Sequence, residues 1–203
     1  MSNQLKRLTV KPKQGNEQFK TDGQPLDYTL VEFWRWSVSD LVSNATRGIL
    51  AEFIVAKALI SPTDTVRDEW GAFDLITPAG VKVEVKSAGY IQSWSQKRYS
   101  TIQFRTPKTK AWDPNTNQMI SVSKRQADVY VFAMLAHKEK ATVDPMDVAQ
   151  WQFYVLPTSV LNQRTRSQHS ITLKSLEGLA GSPVDYGRLA AAVAKAAGNN
   201  STT

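Results

Sequence analysis

The sequence predicts an α/β domain, and three sets of observations carry that reading. Residues 39–60 repeat apolar side chains at three- and four-residue steps, the period of a helix with one buried stripe. Phe73, Leu75, Val83 and Val85 alternate with polar residues on either side of Pro78-Ala79-Gly80, the pattern of a half-buried strand pair joined by a turn. Residues 128–136 (DVYVFAMLA) and 151–156 (WQFYVL) are near-continuous apolar runs, as central strands covered on both faces require.

The totals narrow the classes open to the chain. With 203 residues, 41% of them hydrophobic and 21% charged, it can bury an ample core as one domain, or as two small ones, and it is no disordered polymer. No apolar run approaches the roughly 20 residues of a membrane helix, so no membrane partner is expected. The N-terminal MSNQLKRLTVKPKQGNEQ has no apolar stretch behind its basic residues, which argues against a secretory signal and for a cytoplasmic protein. The absence of cysteine removes disulfides, thiolate ligands and a thiol nucleophile together. A net charge of +7 favours a polyanionic partner, above all nucleic acid.

In chain order, residues 1–25 are polar, basic and punctuated by Gly and Pro, and read as a mobile arm. Tyr28, Phe33, Trp34 and Trp36 follow as an aromatic cluster; such a cluster is core or a helix-packing face more often than a base-stacking platform. Ser39 is placed to cap the helix that ends at Ser61-Pro62, and Leu41, Ala45, Ile49, Phe53 and Ala56 form its expected stripe. Glu52 falls on the margin of that stripe, with Gly48 and Ala56 a turn away on either side. In the strand pair, a three-residue loop with Gly80 in the left-handed position pairs Thr77 with Val81, Ile76 with Lys82 and Leu75 with Val83. That register sets Asp74 opposite Glu84, and Lys86 two residues on shares their face. Phe73, Leu75, Val83 and Val85 then all point to the core. Residues 100–105 read as a further strand, and 106–124 as a long surface loop. Residues 173–179 and 186–197 read as helices, and 198–203 as a fraying tail, so residues 26–197 make up the one domain.

Two facing carboxylates repel unless a cation or proton resolves the contact. Oxygen ligands in small number select a hard cation that keeps its waters, Mg²⁺ or Mn²⁺. Such an ion can hold a phosphate oxygen and lower the pKa of a water. An ammonium beside it can orient that water or stabilise charge on the phosphorus oxygens. The plainer reading is a surface Glu84/Lys86 pair, since a Glu-x-Lys triplet arises by chance about once in a chain of this length. The opposed Asp74 and the helical Glu52 weigh against it.

With Glu52 on a helix, Asp74 on a strand and Glu84-Val85-Lys86 on the next, residues 39–157 resemble the PD-(D/E)XK nuclease superfamily. The resemblance extends to the order helix, strand, strand, strand, helix, strand, and implies a mixed central sheet flanked by helices, the restriction-endonuclease-like core. It implies Mg²⁺-dependent phosphodiester cleavage, usually of DNA, here expected to be double-stranded. Carried over, Asp74, Glu84 and Glu52 are metal ligands and Lys86 the catalytic lysine. Phe73 stands where the motif has proline, and the Gln-x-x-x-Tyr signature of RecB-like exonucleases is absent, because Gln96 follows Gln92 and Ser100 follows Gln96 at that spacing. Gln92 is either a phosphate or water ligand near the site or a plain surface residue. Lys97, Arg98, Lys108, Lys110, Lys124 and Arg125 are the expected nucleic-acid contacts. His137 and His169 are far from the hairpin and are read as non-catalytic. The expected function is a DNA endonuclease of restriction, repair or mobile-element type. The alternatives are a non-catalytic DNA-binding or assembly subunit of the same fold and an RNA nuclease. Cutting both strands with one site per chain favours a homodimer, whereas nicking needs none.

Overall fold

The computed structural model describes residues 5, 7–113 and 116–198. Residues 1–4 and Lys6 of the expected arm, and 199–203 of the expected tail, lie outside that set.

The first element is a hairpin whose turn and first strand fall at the end of the stretch expected as an arm. Strand β1 (Gln18–Thr21) pairs antiparallel with β2 (Gln24–Thr29) around Asp22-Gly23. Both turn residues are left-handed, with φ of 50° and 80°, the conformation whose twist matches a two-residue hairpin. β2 runs directly into helix α1 (Leu30–Val38), whose first turn is closed by Glu32 accepting from the backbone N–H (2.6 Å) and hydroxyl (2.9 Å) of Thr29. The aromatic cluster on and before α1 is not core: the helix buries none of its residues, and Trp36 is 84% exposed. So short a helix leans on the hairpin and on residues 15–17 before it, where the Leu30 and Val31 N–H groups donate to the carbonyls of Glu17 and Gly15. Phe19 meets Tyr28 there at 4.9 Å between ring centroids, and Gly15 leaves room for the Trp34 ring.

Helix α2 (Asn44–Ala58) starts five residues later than the periodicity suggests. The Asp40 carboxylate accepts from the backbone N–H groups of Val42 and Ser43, a local turn that competes with helix. The N-cap position consequently falls on Ser43, not Ser39. The buried face consists of Arg47, Ala51, Ile54, Val55 and Ala56, so only Ala56 of the expected stripe is buried. Ile49 and Phe53 stay about half exposed because they line a groove instead of the sheet.

Strand β3 (Leu75–Ile76) pairs with β4 (Lys82–Gly89) in the register the turn implies, Leu75 with Val83 and Ile76 with Lys82. Gly80 takes φ +80°. Strand β5 (Gln103–Arg105) is a shortened form of the strand expected at 100–105. Residues 106–124 are not irregular throughout: β6 (Trp112–Asp113) and β7 (Gln118–Met119) form a ribbon whose base is bridged by Thr109 and Lys124. Then come β8 (Val129–Leu135), buried at every residue, and β9 (Trp151–Pro157). Helix α3 (Thr158–Gln163), strand β10 (Ser170–Thr172, paired with β5), helix α4 (Leu173–Ala180) and helix α5 (Leu189–Gly198) complete the fold.

The central sheet has the order β3-β4-β8-β9. β4 and β8 are parallel and the other pairs antiparallel, so the sheet is mixed, as expected. Side chains alternating across β8 divide the core in two. Val129, Val131, Ala133 and Leu135 pack with Ala51, Ile54 and Val55 of α2 and Leu189 and Val193 of α5. Tyr130, Phe132 and Met134 pack on the other face with Phe104, Leu161, Ile171 and Leu176. Phe73 joins this second cluster, not the one that holds Leu75, Val83 and Val85, so the four hairpin residues do not share one face. One feature of the resemblance is missing: among the described residues no α-helix falls between α2 and α3, and β8 returns to β9 through a loop with a single 3₁₀ turn.

Candidate active site

The β3–β4 ladder ends at Leu75, so Asp74 is not a ladder partner of Glu84. The backbone N–H of Asp74 donates to the Val83 carbonyl at 3.1 Å, which slips it out of register. Its carboxylate reaches the site another way, with Oδ2 accepting from the Val85 N–H at 2.7 Å. The strand following Glu84 thus anchors Asp74 through its side chain.

Glu84 and Lys86 project from the same side of β4, opposite to Val83 and Val85, which go to the core. Lys86 Nζ donates to Glu84 Oε1 at 2.5 Å. Glu52 approaches from α2 and is gripped at both carboxylate oxygens by Arg67, one contact being Nη2 to Oε1 at 2.8 Å. Arg67 belongs to the long connection between α2 and β3, and its sequence signal, a lone arginine in a loop, was too weak to mark it.

Electrostatics ties these groups together. The Asp74 carboxyl is pushed up from its ordinary 3.8 to about 7, first by burial and next by the negative charge of Glu84. Glu52 pushes in the same direction, while Lys86 and the Val85 N–H oppose it. Burial raises the Tyr130 phenol, and the charges of Glu84 and Asp74 add to it. Asp74, Glu84, Lys86 and Glu52 therefore share one field, short of positive charge at Asp74.

A cation at Asp74 would relieve that shortage. Among the described residues no group of three or more His, Asp or Glu side chains converges as a ready metal site, since Glu52 is turned onto Arg67 and Glu84 onto Lys86. A hard divalent ion needs only one or two carboxylates when water and phosphate complete its shell. Asp74 and Glu84 could supply those carboxylates, and an all-oxygen donor set suits Mg²⁺ or Mn²⁺.

The basic residues separate into two kinds. Lys97, Arg98, Lys108, Lys110 and Lys124 are exposed, the last three on the β6–β7 ribbon and its base. Gln92 and Arg125 are not surface ligands: each is 5% exposed. The Gln92 amide donates to Ser100 Oγ at 3.1 Å and its oxygen accepts from Arg47. The Arg125 guanidinium donates to the carbonyls of Thr106 and Gln168 and to the side chain of Asn162. Arg125 was expected to touch nucleic acid and Gln92 to be either a ligand near the site or a plain surface residue; burial instead makes both clips between segments. His137 is engaged with Thr142, and His169 precedes β10.

A mixed-sheet α/β fold with acids and a lysine clustered at one hairpin is compatible with an enzyme that acts on phosphodiesters. The class follows from sequence similarity: residues 3–175 match the family described as bacteriophage T4 endonuclease IV. The chain belongs to that family and is a nuclease of endonuclease type, with nucleic acid as its substrate. No curated protein matches it closely. No helix among the described residues is long and apolar enough to cross a membrane.

Proposed function

We propose that the chain is a Mg²⁺- or Mn²⁺-dependent DNA endonuclease whose site is built on the PD-(D/E)XK plan. The observation that carries this reading is the convergence on β4 of Asp74, held by the Val85 N–H, and the Glu84–Lys86 pair, where burial and then the charge of Glu84 push the Asp74 carboxyl up. Asp74 and Glu84 would supply the protein oxygens to the ion. Glu52 would join them through water once Arg67 lets it go. When bound, the ion supplies a water of lowered pKa and neutralises charge on a phosphate oxygen. Lys86 then leaves Glu84, donates from Nζ to the attacking water or a phosphate oxygen, and holds it in line. Lys108, Lys110 and Lys124 would take the flanking phosphates.

Duplex DNA is the proposed substrate, in restriction, repair or mobile-element work, and a two-fold dimer is proposed if both strands are cut. The test is a digest of plasmid, linear duplex, single-stranded DNA and RNA with Mg²⁺, with EDTA, and with Lys86→Ala. Cleavage of duplex DNA should need the ion and fall at least about 100-fold in the variant, the scale of a lost transition-state contact. Cutting by Lys86→Ala at the parent rate, or undiminished cutting in EDTA, sinks the proposal.

A further inference from the structure

Beside the carboxylates lies a groove of about 700 Å³ that the chemistry above does not use. Glu52 and Asp74 form part of its lining, so it opens directly onto the proposed reaction centre. Its other walls are apolar and aromatic: Ile49 and Phe53 from α2, Trp70 from the α2–β3 connection, and Trp112 from the β6–β7 ribbon. Trp70 and Trp112 meet edge to face with ring centroids 6.3 Å apart, and Trp70 is 70% exposed. Large exposed aromatics are costly in water and tend to mark binding surfaces. The volume falls in the range of small-molecule sites, roughly 300–1,000 Å³, too small for a protein segment of any length.

The charged residues around it mark the occupant. Arg67 lines the groove, and Lys108, Lys110 and Lys124 lie on the ribbon that carries Trp112 and at its base. Of the three acids in the lining, Glu52 is paired with Arg67 and Asp68 with Arg7 at 2.8 Å, and the third is Asp74. The occupant thus has a flat apolar face and an anionic tether that runs past Asp74.

We propose that this groove is a nucleobase subsite. It takes one unstacked base of the substrate, next to the scissile phosphate, against Trp70 and Trp112. The inference rests on the nuclease reading of the adjoining site for its substrate class. Stacking on an aromatic side chain contributes about 1–3 kcal/mol per base and is nearly blind to base identity.

The test measures binding without chemistry. Fluorescence anisotropy of labelled oligonucleotides is recorded in EDTA with Glu84→Gln protein, alone and carrying Trp70→Ala, Trp112→Ala or Trp70→Phe. An abasic residue is walked along the oligonucleotide. Trp70→Ala and Trp112→Ala should each weaken binding about tenfold, and Trp70→Phe should restore most of it. One abasic position should weaken the parent yet leave Trp70→Ala unaffected. A flat abasic profile in the parent, or binding by both Trp→Ala variants within twofold of it, overturns the subsite. Single strands and duplexes are run as separate arms. Preference for the single strand identifies a base that is already unpaired, and equal binding identifies one drawn out of the duplex. A groove that senses one abasic position in a protein that never cuts with Mg²⁺ refutes the metal chemistry alone. A Mg²⁺-dependent nuclease with a flat abasic profile refutes the subsite alone.

Discussion

Asp74 shows how one residue's chemistry depends on its neighbours. Its carboxylate is held by a single backbone N–H and faces two other acids, so ionisation in the folded chain is opposed. The folded pKa of about 7 lies above the ordinary 3.8, and between those values the folded chain keeps a proton that the unfolded chain has released. In EDTA, stability from this group should be fullest near pH 4, decline as pH rises to about 7, and level off beyond. Thermal melts should show that decline, and Asp74→Asn should flatten it and melt higher than the parent at pH 8. A parent that melts equally across this window refutes the account. Lys86 and Glu84 were legible as an i, i+2 pair because strand alternation puts them on one side without any further information. The Glu52–Arg67 pair was half legible: the acid is on a recognisable helix, and its partner lies in a connection with no periodic pattern.

At the scale of elements, local signals worked where the chain could use nothing else. The Pro78-Ala79-Gly80 loop set its register through Gly80 alone. Asp22-Gly23 is an equally strong hairpin signal, but the surrounding polar residues hid it because both strands remain exposed. α2 misled for another reason. Its larger apolar residues, Ile49 and Phe53, face the groove, and the sheet takes the smaller Ala51 along with Ile54 and Val55. Arg125 was read as a surface cation when it is a clip joining the base of the ribbon to the α3–β10 connection. Arg125→Ala should lower stability by about 2–4 kcal/mol, since buried carbonyls of Thr106 and Gln168 lose their donors. Urea melts would measure it, and a loss below about 0.5 kcal/mol, typical of a surface site, would contradict the clip.

The whole molecule carries net charge +7, and its exposed lysines give that charge a place to act. Binding to DNA should weaken linearly in log–log form with salt, with a slope of about −0.9 per phosphate neutralised on duplex. Lys108→Ala, Lys110→Ala and Lys124→Ala should each reduce that slope by about one contact. Substituting Arg125 or Gln92 should leave the slope unchanged, because neither reaches solvent. Isothermal titrations at several salt concentrations read this directly. If the lysine variants keep the parent slope, the ribbon does not lie on phosphate.

The sequence by itself determined the α/β class, the two central strands, the hairpin register and the Glu84–Lys86 pair. All of these rest on periods of two or 3.6 residues, or on a single turn. Tertiary structure alone decided that Asp74 reaches the site through the Val85 N–H and not through the ladder. It likewise decided that Arg67 closes on Glu52, that Gln92 and Arg125 are buried, and that Trp70 and Trp112 meet across a groove. Each of those contacts joins segments between about 10 and 50 residues apart, where no local period carries information and only the packing of the two cores brings the chain together.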